Sequence, residues 1–224
     1  MPGEAMLIFE NIMEQLIWFI PVILSLTVHE WAHAWTAWKL GDDTSKMLGR
    51  VSLDPLVHLD PLGTLLPLLG FPIGWAKPVP VNPVRFRKQV SMSFGMLLTA
   101  AAGPFSNLLL AGLAYGMLLA LGNSTPAAIA SEQILSVLTR FLMMIVMINI
   151  LLAGFNLIPI PPLDGSRIVE GLIPPRFRPL WANVARWGPF LLLGILFLPA
   201  LIGYNVLSMP LEWLAGELSK AAAH

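Results

Sequence analysis

The stretch "SLTVHEWAHAWTAW", residues 25–38, places two histidines and a glutamate inside an almost wholly apolar part of the chain. Ionisable side chains are rare at membrane depth, and those found there usually have a function. His29 and His33 are four positions apart. On a helix that turns about 100° per residue, both imidazoles therefore project from the same face, one turn apart.

This spacing matches the H-E-x-x-H pattern, in which two histidines share one metal ion and the glutamate acts on a water without being a ligand. Glu30 is in the position of that glutamate. The alternative is that the histidines are only packed or hydrogen-bonded and that Trp31, Trp35 and Trp38 are interfacial aromatics. A chance match in a chain with four histidines is on the order of one percent, so we predict a metal centre here.

The composition of the chain is that of a membrane protein. Of its 224 residues, 56% are hydrophobic and 12% are charged, and the mean hydropathy is +0.74. Soluble domains contain about twice this charged fraction. The absence of cysteine excludes disulfides and thiolate ligands, and the formal net charge of zero gives no reason to expect nucleic acid as a partner.

The apolar runs predict an all-α polytopic membrane protein with about four full transmembrane helices. Gly41 is a candidate cap for the end of the first helix. Between the first two spans lies a polar, proline-rich excursion, in which the apolar residues 62–73 suit a re-entrant or interfacial element and residues 72–84 a small extended, β-like segment. The predicted spans are residues 15–40, 90–121, 133–157 and 183–207, with a short helix at 165–172.

We expect one transmembrane domain over residues 1–224, with its core at 15–172 and an added helix and interfacial tail at 173–224. On this topology most basic residues share one face, which the positive-inside rule places in the cytoplasm of a plasma-membrane protein. The N-terminus is then outside, and the histidine pair lies toward the cytoplasm. Arg140 and Lys220 are on the minority face; the majority face carries Lys39, Lys46, Arg50, Lys77, Arg85, Arg87, Lys88, Arg167, Arg176, Arg178 and Arg186.

A catalytic zinc usually takes three protein ligands, so a third ligand is required. Asp164 is preferred because it ends the apolar run "ILLAGFNLIPIPPLDG" on the same face as His33, and Gly165 lets the backbone turn there. Asp54 and Asp60 each precede a proline, as ordinary turn residues do. The other candidates are Glu170 and His58. For His58, a structural role is favoured over that of an additional or regulatory ligand.

Two asparagines lie in apolar stretches where an unpaired amide would cost about 1–3 kcal/mol. They are Asn107 in "AAGPFSNLLL" and Asn156 in "LLAGFNLIPIPP". Each is either a donor to a developing oxyanion or to substrate, or a partner in an interhelical hydrogen bond, and the residues alone leave both possibilities open. Gly103 and Pro104 indicate a kink with close helix contact.

Three motifs in this order, "HEWAH", "AAGPFSN" and "NLIPIPPLDG", make the chain resemble the site-2 proteases, the family of intramembrane zinc metalloproteases. The last motif has the form N-x-x-P-x-x-x-L-D-G. "GWAKPVPVNP" between the first two motifs resembles the compact prokaryotic branch, and the sequence shows no inserted PDZ module or appended CBS domain.

The resemblance implies that His29, His33 and Asp164 bind one zinc ion per chain, and that Glu30 is the general base and later the proton donor. Asn156 would assist the transition state or bind substrate, with Asn107 as its companion. The implied activity is hydrolysis of a peptide bond within or near a transmembrane segment of a protein substrate in the lipid bilayer, as in regulated intramembrane proteolysis.

Three rival functions use the same residues. A metal transporter would use the histidines as a transit site, but transport favours ligands strung across the bilayer rather than clustered toward one side. An inactive relative acting as a binding module is disfavoured by the intact histidines, Glu30 and Asp164. A membrane zinc protease acting on soluble or lipidated chain ends is disfavoured by the L-D-G motif.

Overall fold

The structure is a computed structural model that describes the backbone of residues 2–63, 75–122 and 132–201, and side chains within residues 19–63, 75–122 and 135–195. The chain is mostly helical. Its helices are α1 (Pro2–Leu40), α2 (Thr44–Met47), α3 (Met92–Gly122), α4 (Glu132–Asn156), α5 (Asp164–Leu172) and α6 (Arg178–Leu201). Short 3-10 turns lie at Pro55–Val57, Pro83–Arg85 and Pro175–Phe177.

The predicted helices at residues 15–40, 90–121, 133–157 and 165–172 are all present, with boundaries shifted by one or two residues except at the start of α1. α1 begins at Pro2 rather than near residue 15. α6 begins at Arg178 rather than near residue 183 and is described as far as Leu201. The last part of that predicted span, residues 202–207, and the tail lie outside the described residues. So does most of the predicted re-entrant element, residues 64–73.

Among the residues that the structure describes, two helices are long and apolar enough to cross a membrane: Met92–Gly122, with a mean hydropathy of 1.7, and Leu135–Asn156, with 2.2. Along α3, Phe105, Leu109 and Leu113 recur every fourth residue and are exposed. A stripe of large apolar side chains on the outside of a bundle fits contact with lipid tails.

α1, α3 and α4 pack against one another around a core in which small residues let the backbones approach closely. α3 contributes Ala111 and Ala114 to this contact, and α4 surrounds Ala114 with Leu142, Ile145 and Val146. α5 lies across the first turns of α3, where a Cβ on Gly171 would come within 2.7 Å of Leu97 Cβ.

The end of α1 has the geometry of a Schellman cap. Gly41 adopts a φ of 114°, its N–H donates to Trp38 O at 3.0 Å, and the Asp42 N–H donates to Ala37 O at 3.0 Å. Glycine takes up positive φ without steric cost, which explains why it stands at this position. The predicted role of Gly41 is confirmed.

The predicted β-like segment at residues 72–84 does not form a strand in its described part, residues 75–84. A single antiparallel bridge joins Ala76 to Leu59, and the chain then runs extended to the turn at Pro83. Pro78 and Pro80 lack amide donors, so a regular ladder cannot form along the edge to which both positions belong.

This extended segment is fastened instead to the end of α1 by side chains. Buried Asp42 accepts from the Asn82 N–H at 2.6 Å and from the Thr44 N–H at 3.0 Å. Ser45 donates to Pro80 O at 2.5 Å, and the Arg87 N–H donates to Leu40 O at 2.9 Å. Residues 80–87 are therefore held in a fixed position relative to α1.

We predict that Asp42→Ala lowers the free energy of unfolding by about 3 kcal/mol, because it leaves buried amide donors without an acceptor. Asp43→Ala is the matched control. It breaks only the ion pair with Arg85, whose side chains are 51% and 44% exposed, and should cost about 0–1 kcal/mol. Unfolding of the detergent-solubilised protein measures both, and equal losses would contradict the role given to Asp42.

Candidate metal centre

The C-terminal half of α1 places both histidines of the HEWAH motif in the interior of the bundle. His29 and His33 are 4% and 8% exposed, and their Nε2 atoms are 3.0 Å apart. Their rings meet nearly edge to face, at an interplanar angle of 87°. The predicted one-turn spacing on one helix face is present.

The third group of the centre comes from the first residue of α5. α4 ends at Asn156, a proline-rich turn follows, and α5 begins at Asp164. The Asp164 Oδ2 atom lies 3.1 Å from His29 Nε2 and 3.2 Å from His33 Nε2. The structure therefore brings the preferred third ligand to the histidine pair.

Gly165 is required for this close return of the chain. A Cβ at this position would clash with the carbonyl oxygens of Leu157 and Ile158, at the end of α4. These are backbone atoms, which cannot move aside as a flexible side chain can. The glycine of the L-D-G motif thus allows Asp164 to enter the site from immediately beyond α4.

Both histidines have their Nδ1 atoms bonded to oxygen acceptors. His33 Nδ1 lies 2.7 Å from Thr99 O, and His29 Nδ1 lies 2.6 Å from Asn107 Oδ1. A carbonyl oxygen can only accept, so each Nδ1 carries a hydrogen, and in the neutral imidazole each Nε2 then presents a lone pair. Between two neutral rings the short distance between the Nε2 atoms is therefore not a hydrogen bond.

Two lone pairs and a carboxylate oxygen converge on one point, an arrangement that is repulsive without a cation. Asp164 Oδ2 is buried and has no hydrogen-bond donor among the described residues. The three atoms form a triangle with edges of 3.0, 3.1 and 3.2 Å. Ligands of a tetrahedral zinc with bonds of about 2.0–2.1 Å lie roughly 3.3 Å apart, so the set fits one such ion.

Glu30 lies beside this cluster and is not a member of it. It is partly exposed, and its Oε2 atom accepts from the Val79 N–H at 3.2 Å. The extended segment thus holds the carboxylate of Glu30 in place. No hydrogen bond to Oε1 is present among the described residues.

The other acidic and histidine candidates have structural roles or lie elsewhere. Asp54 accepts from the Leu56 N–H, and Asp60 accepts from the Gly63 N–H, so both are turn residues as expected. His58 is buried with Nε2 2.8 Å from Ser52 O. Glu170 is exposed on α5 and takes no part in the cluster.

The two predicted asparagines occupy different surroundings. Asn107 is fully buried, with Oδ1 on His29 and Nδ2 2.6 Å from Asn149 Oδ1. Asn156 is partly buried and donates to Leu152 O of its own helix at 3.0 Å. Asn156 makes no hydrogen bond to the three converging groups.

Sequence reasoning missed Asn149 and Ser25, both fully buried at the contact of α1, α3 and α4. Asn149 Nδ2 donates to Ser25 Oγ at 2.8 Å. The signal that singled out the other two asparagines, an amide within an apolar run, is also present at Asn149 in "MMIVMINILLAG". For Ser25, short and common in membrane helices, the sequence offered no comparable signal.

Comparison with known proteins agrees with this geometry. The family model of peptidase family M50 matches residues 123–198. The Bacillus subtilis protein named as zinc metalloprotease YwhC is 42% identical over 189 residues, which cover 83% of this chain and 81% of that protein. A Mycolicibacterium smegmatis protein named as zinc metalloprotease Rip2 is 31% identical over 180 residues, 80% of this chain and 66% of that protein. No solved structure gives a significant match.

The site and these relatives define a zinc metalloprotease with membrane-spanning helices. This chain belongs to peptidase family M50, the site-2 protease family. The family predicted from the three motifs is confirmed, as is zinc as the cofactor.

Gly103 on α3 is a position at which a side chain would enter the metal centre. A Cβ there would clash with His33 Nε2 and would come within 2.6 Å of His29 Cε1. We predict that Gly103→Ala lowers zinc affinity at least about tenfold, because it displaces both imidazoles.

Gly112→Ala is the matched control on the same helix, since a Cβ there meets nothing within 4 Å. Metal analysis of the purified proteins and competition with a chelator measure the effect. Wild-type zinc binding by the Gly103→Ala protein would show that the imidazoles do not pack against α3 as described.

Proposed function

We propose that this protein is an intramembrane endopeptidase that hydrolyses a peptide bond within or near a transmembrane segment of a membrane protein. One observation carries the proposal: His29, His33 and Asp164 converge with bare acceptor atoms next to Glu30, a carboxylate outside the cluster. When bound, zinc supplies Lewis-acid polarisation of the scissile carbonyl and a water with a pKa near 7.

Glu30 is the proposed general base and proton donor. Its Oε2 atom is held by the Val79 N–H, so Oε1 is the oxygen that takes the proton of the attacking water. The same oxygen then delivers the proton to the leaving amine, as a carboxylate can when it is fixed within reach of both. The one-residue offset from His29 keeps Glu30 near the metal centre without making it a ligand.

The asparagines divide into two proposed roles. Asn107 has both amide groups occupied by protein partners, so its role is to orient His29 rather than to contact substrate. Asn156 uses one N–H on Leu152 O and retains a second amide hydrogen and an oxygen without partners among the described residues. Asn156 is therefore the candidate donor to the developing oxyanion or to substrate backbone.

The proposed setting is a plasma membrane crossed by α1, α3, α4 and α6, with the N-terminus outside. α6 has 24 residues, which at about 1.5 Å each are enough to cross the hydrocarbon. At the end of α1, the amines of Lys39 and Lys46 lie 4.8 and 4.3 Å from the Trp38 ring. Tryptophan and lysine are typical of the interface, which supports placing the metal centre, about one to three helical turns earlier on α1, toward the cytoplasmic surface.

A substrate helix hides its carbonyls in its own hydrogen bonds, so it must unwind before attack. The Lys77 N–H donates to His58 O at 2.8 Å, and beyond it residues 78–82 offer an edge that could hold the unwound chain by strand addition. In extended backbone the N–H and C=O of Val79 and Val81 point to one edge. The Val79 N–H donates to Glu30 Oε2, and the Val81 N–H and C=O have no hydrogen-bond partner among the described residues.

The even-numbered positions of this segment form the opposite edge, which is closed. Pro78 and Pro80 have no N–H, and the Asn82 N–H is taken by Asp42. Only the edge that holds Glu30 can therefore accept a further strand. This supports substrate binding beside the metal centre rather than on the α1 cap side.

Metal transport, the rival function, finds less support. Within the part of the chain that the structure describes, the three converging residues are the one group able to hold a metal. A transit pathway needs several such groups in succession, and uptake of labelled zinc into vesicles would reveal it.

We predict that Glu30→Gln retains zinc and loses about 10²–10⁴-fold in cleavage of a single-span model substrate, because the base is lost while the ligands remain. Asp164→Ala should instead lower the zinc content. Glu170→Gln, which removes an exposed carboxylate of α5, should change neither. Mass spectrometry of the cleaved peptide with metal analysis separates the three; cleavage by the Glu30→Gln protein at the wild-type rate would exclude Glu30 as base.

We predict that Val81→Pro raises the KM for a transmembrane substrate and leaves zinc affinity unchanged, because it removes the free N–H of the open edge. Val81→Ala keeps that N–H and is the control. Steady-state cleavage in detergent measures both variants, and a KM that is the same in the two would count against strand addition.

A further inference from the structure

A chain of buried hydrogen bonds leads away from His29 through three helices. Asn107 Oδ1 on α3 accepts from His29 Nδ1, and Asn149 Oδ1 on α4 accepts from Asn107 Nδ2. Ser25 Oγ on α1 accepts from Asn149 Nδ2 at 2.8 Å. The Ser25 hydroxyl then donates to Pro21 O at 2.7 Å. Asn107, Asn149 and Ser25 are each fully buried, so water does not compete for these groups.

The direction of this chain is fixed by two backbone carbonyls. Asn149 Nδ2 donates to Ile145 O at 2.8 Å, and Asn107 Nδ2 donates to Ser25 O at 3.4 Å. A backbone carbonyl only accepts, so neither amide can turn its oxygen toward these positions. Asn149 must therefore present Oδ1 to Asn107, and Asn107 must present Oδ1 to His29.

The orientation of Asn107 determines which nitrogen of His29 carries the hydrogen. With Asn107 Oδ1 as its partner, His29 Nδ1 must carry the hydrogen, which leaves Nε2 free to bind a cation. If Asn107 turned over, its Nδ2 would face Nδ1, and the imidazole hydrogen would move to Nε2, where it would block the metal. The orientation of a side chain on α4 thus decides the tautomer of a ligand on α1.

The two histidines differ in how this is secured. His33 Nδ1 bonds Thr99 O, a backbone acceptor that cannot turn over. His29 depends on a side-chain amide, which has two nearly isosteric orientations. Only His29 needs further residues to choose between them.

We propose that Asn149 and Ser25 are positioning residues for the metal centre, which hold Asn107 in the orientation that keeps His29 Nε2 available to zinc. The proposal rests on the zinc site of the proposed function and adds residues that contact neither metal nor substrate. It predicts an effect on metal affinity itself, separate from any effect on cleavage.

The test is the zinc affinity of the full-length, detergent-solubilised protein, measured by competition with a chelator, together with the absorption spectrum of the Co²⁺-loaded form. Asn149→Leu removes the acceptor for Asn107 and should weaken zinc binding about 10- to 100-fold, the range for residues that orient a ligand. Asn149→Asp, as the protonated acid in this buried position, restores an oxygen for Asn107 and a donor for Ile145 O, and should recover most of the affinity. Ser25→Ala, which leaves Asn149 bonded to Ile145 O, should show a smaller loss than Asn149→Leu.

Thr27→Val is the matched control on α1, because the buried Thr27 hydroxyl has no hydrogen-bond partner within the described part of the chain. It should bind zinc and give the cobalt spectrum as the wild-type protein does. If Asn149→Leu fails to fold, the comparison of Ser25→Ala with Thr27→Val decides, and equal affinities there overturn the proposal.

Wild-type affinity in folded Asn149→Leu protein, or equal losses in the Leu and Asp variants, would also overturn it. The proposed function fails differently. If the wild-type protein binds zinc but does not cleave a transmembrane peptide, the proposed protease activity is refuted. The zinc affinities of the variants can still be compared, so the positioning proposal is tested separately.

Discussion

Three electron-rich atoms, two imidazole nitrogens and a carboxylate oxygen, are held within 3.2 Å of one another in the interior of the bundle. Without a cation this arrangement is repulsive, and in a medium of low dielectric constant the repulsion is strong. Much of the surrounding structure can be understood as what is needed to keep these atoms together. α1 carries two of them one turn apart, and the chain must return after α4 to bring the third.

That return requires helices to approach more closely than ordinary side chains permit. Gly103 gives the imidazoles the space of a missing methyl group, and Gly165 lets α5 begin against the carbonyls of the two residues that follow α4. In lipid, where hydrophobic burial does not drive helices together, such small residues are the usual means of close contact. Glycine in a helix otherwise costs about 1 kcal/mol relative to alanine, so its place here follows from the site rather than from helix stability.

The sequence predicted the parts of the molecule that depend on local pattern. His29 and His33 share a face because of helical periodicity, Gly41 caps α1 because of its backbone freedom, and Asp54 and Asp60 form turns before proline. Asp164 was reached through its motif and the topology together. What a single sequence could not supply is which isolated polar groups meet across helices. Asn107, Asn149 and Asn156 present the same local pattern, yet two of them join one network and the third bonds its own helix. The extended segment differs from the predicted β-like segment for a similar reason. Its hydrogen-bond partners are side chains from the end of α1 rather than another strand.

The fastening of that segment to α1 has a consequence for how a scissile bond would be chosen. The histidine pair, Glu30 and the anchors Asp42 and Ser45 all belong to α1 or to the residues just after it. The distance between the open edge and the reactive centre is therefore fixed, because both are attached to α1. A polypeptide laid along the edge would be cut at a set number of residues from where it is gripped. Selection by position would then outweigh selection by side-chain identity, and many unrelated sequences would serve equally well if they unwind at the right depth.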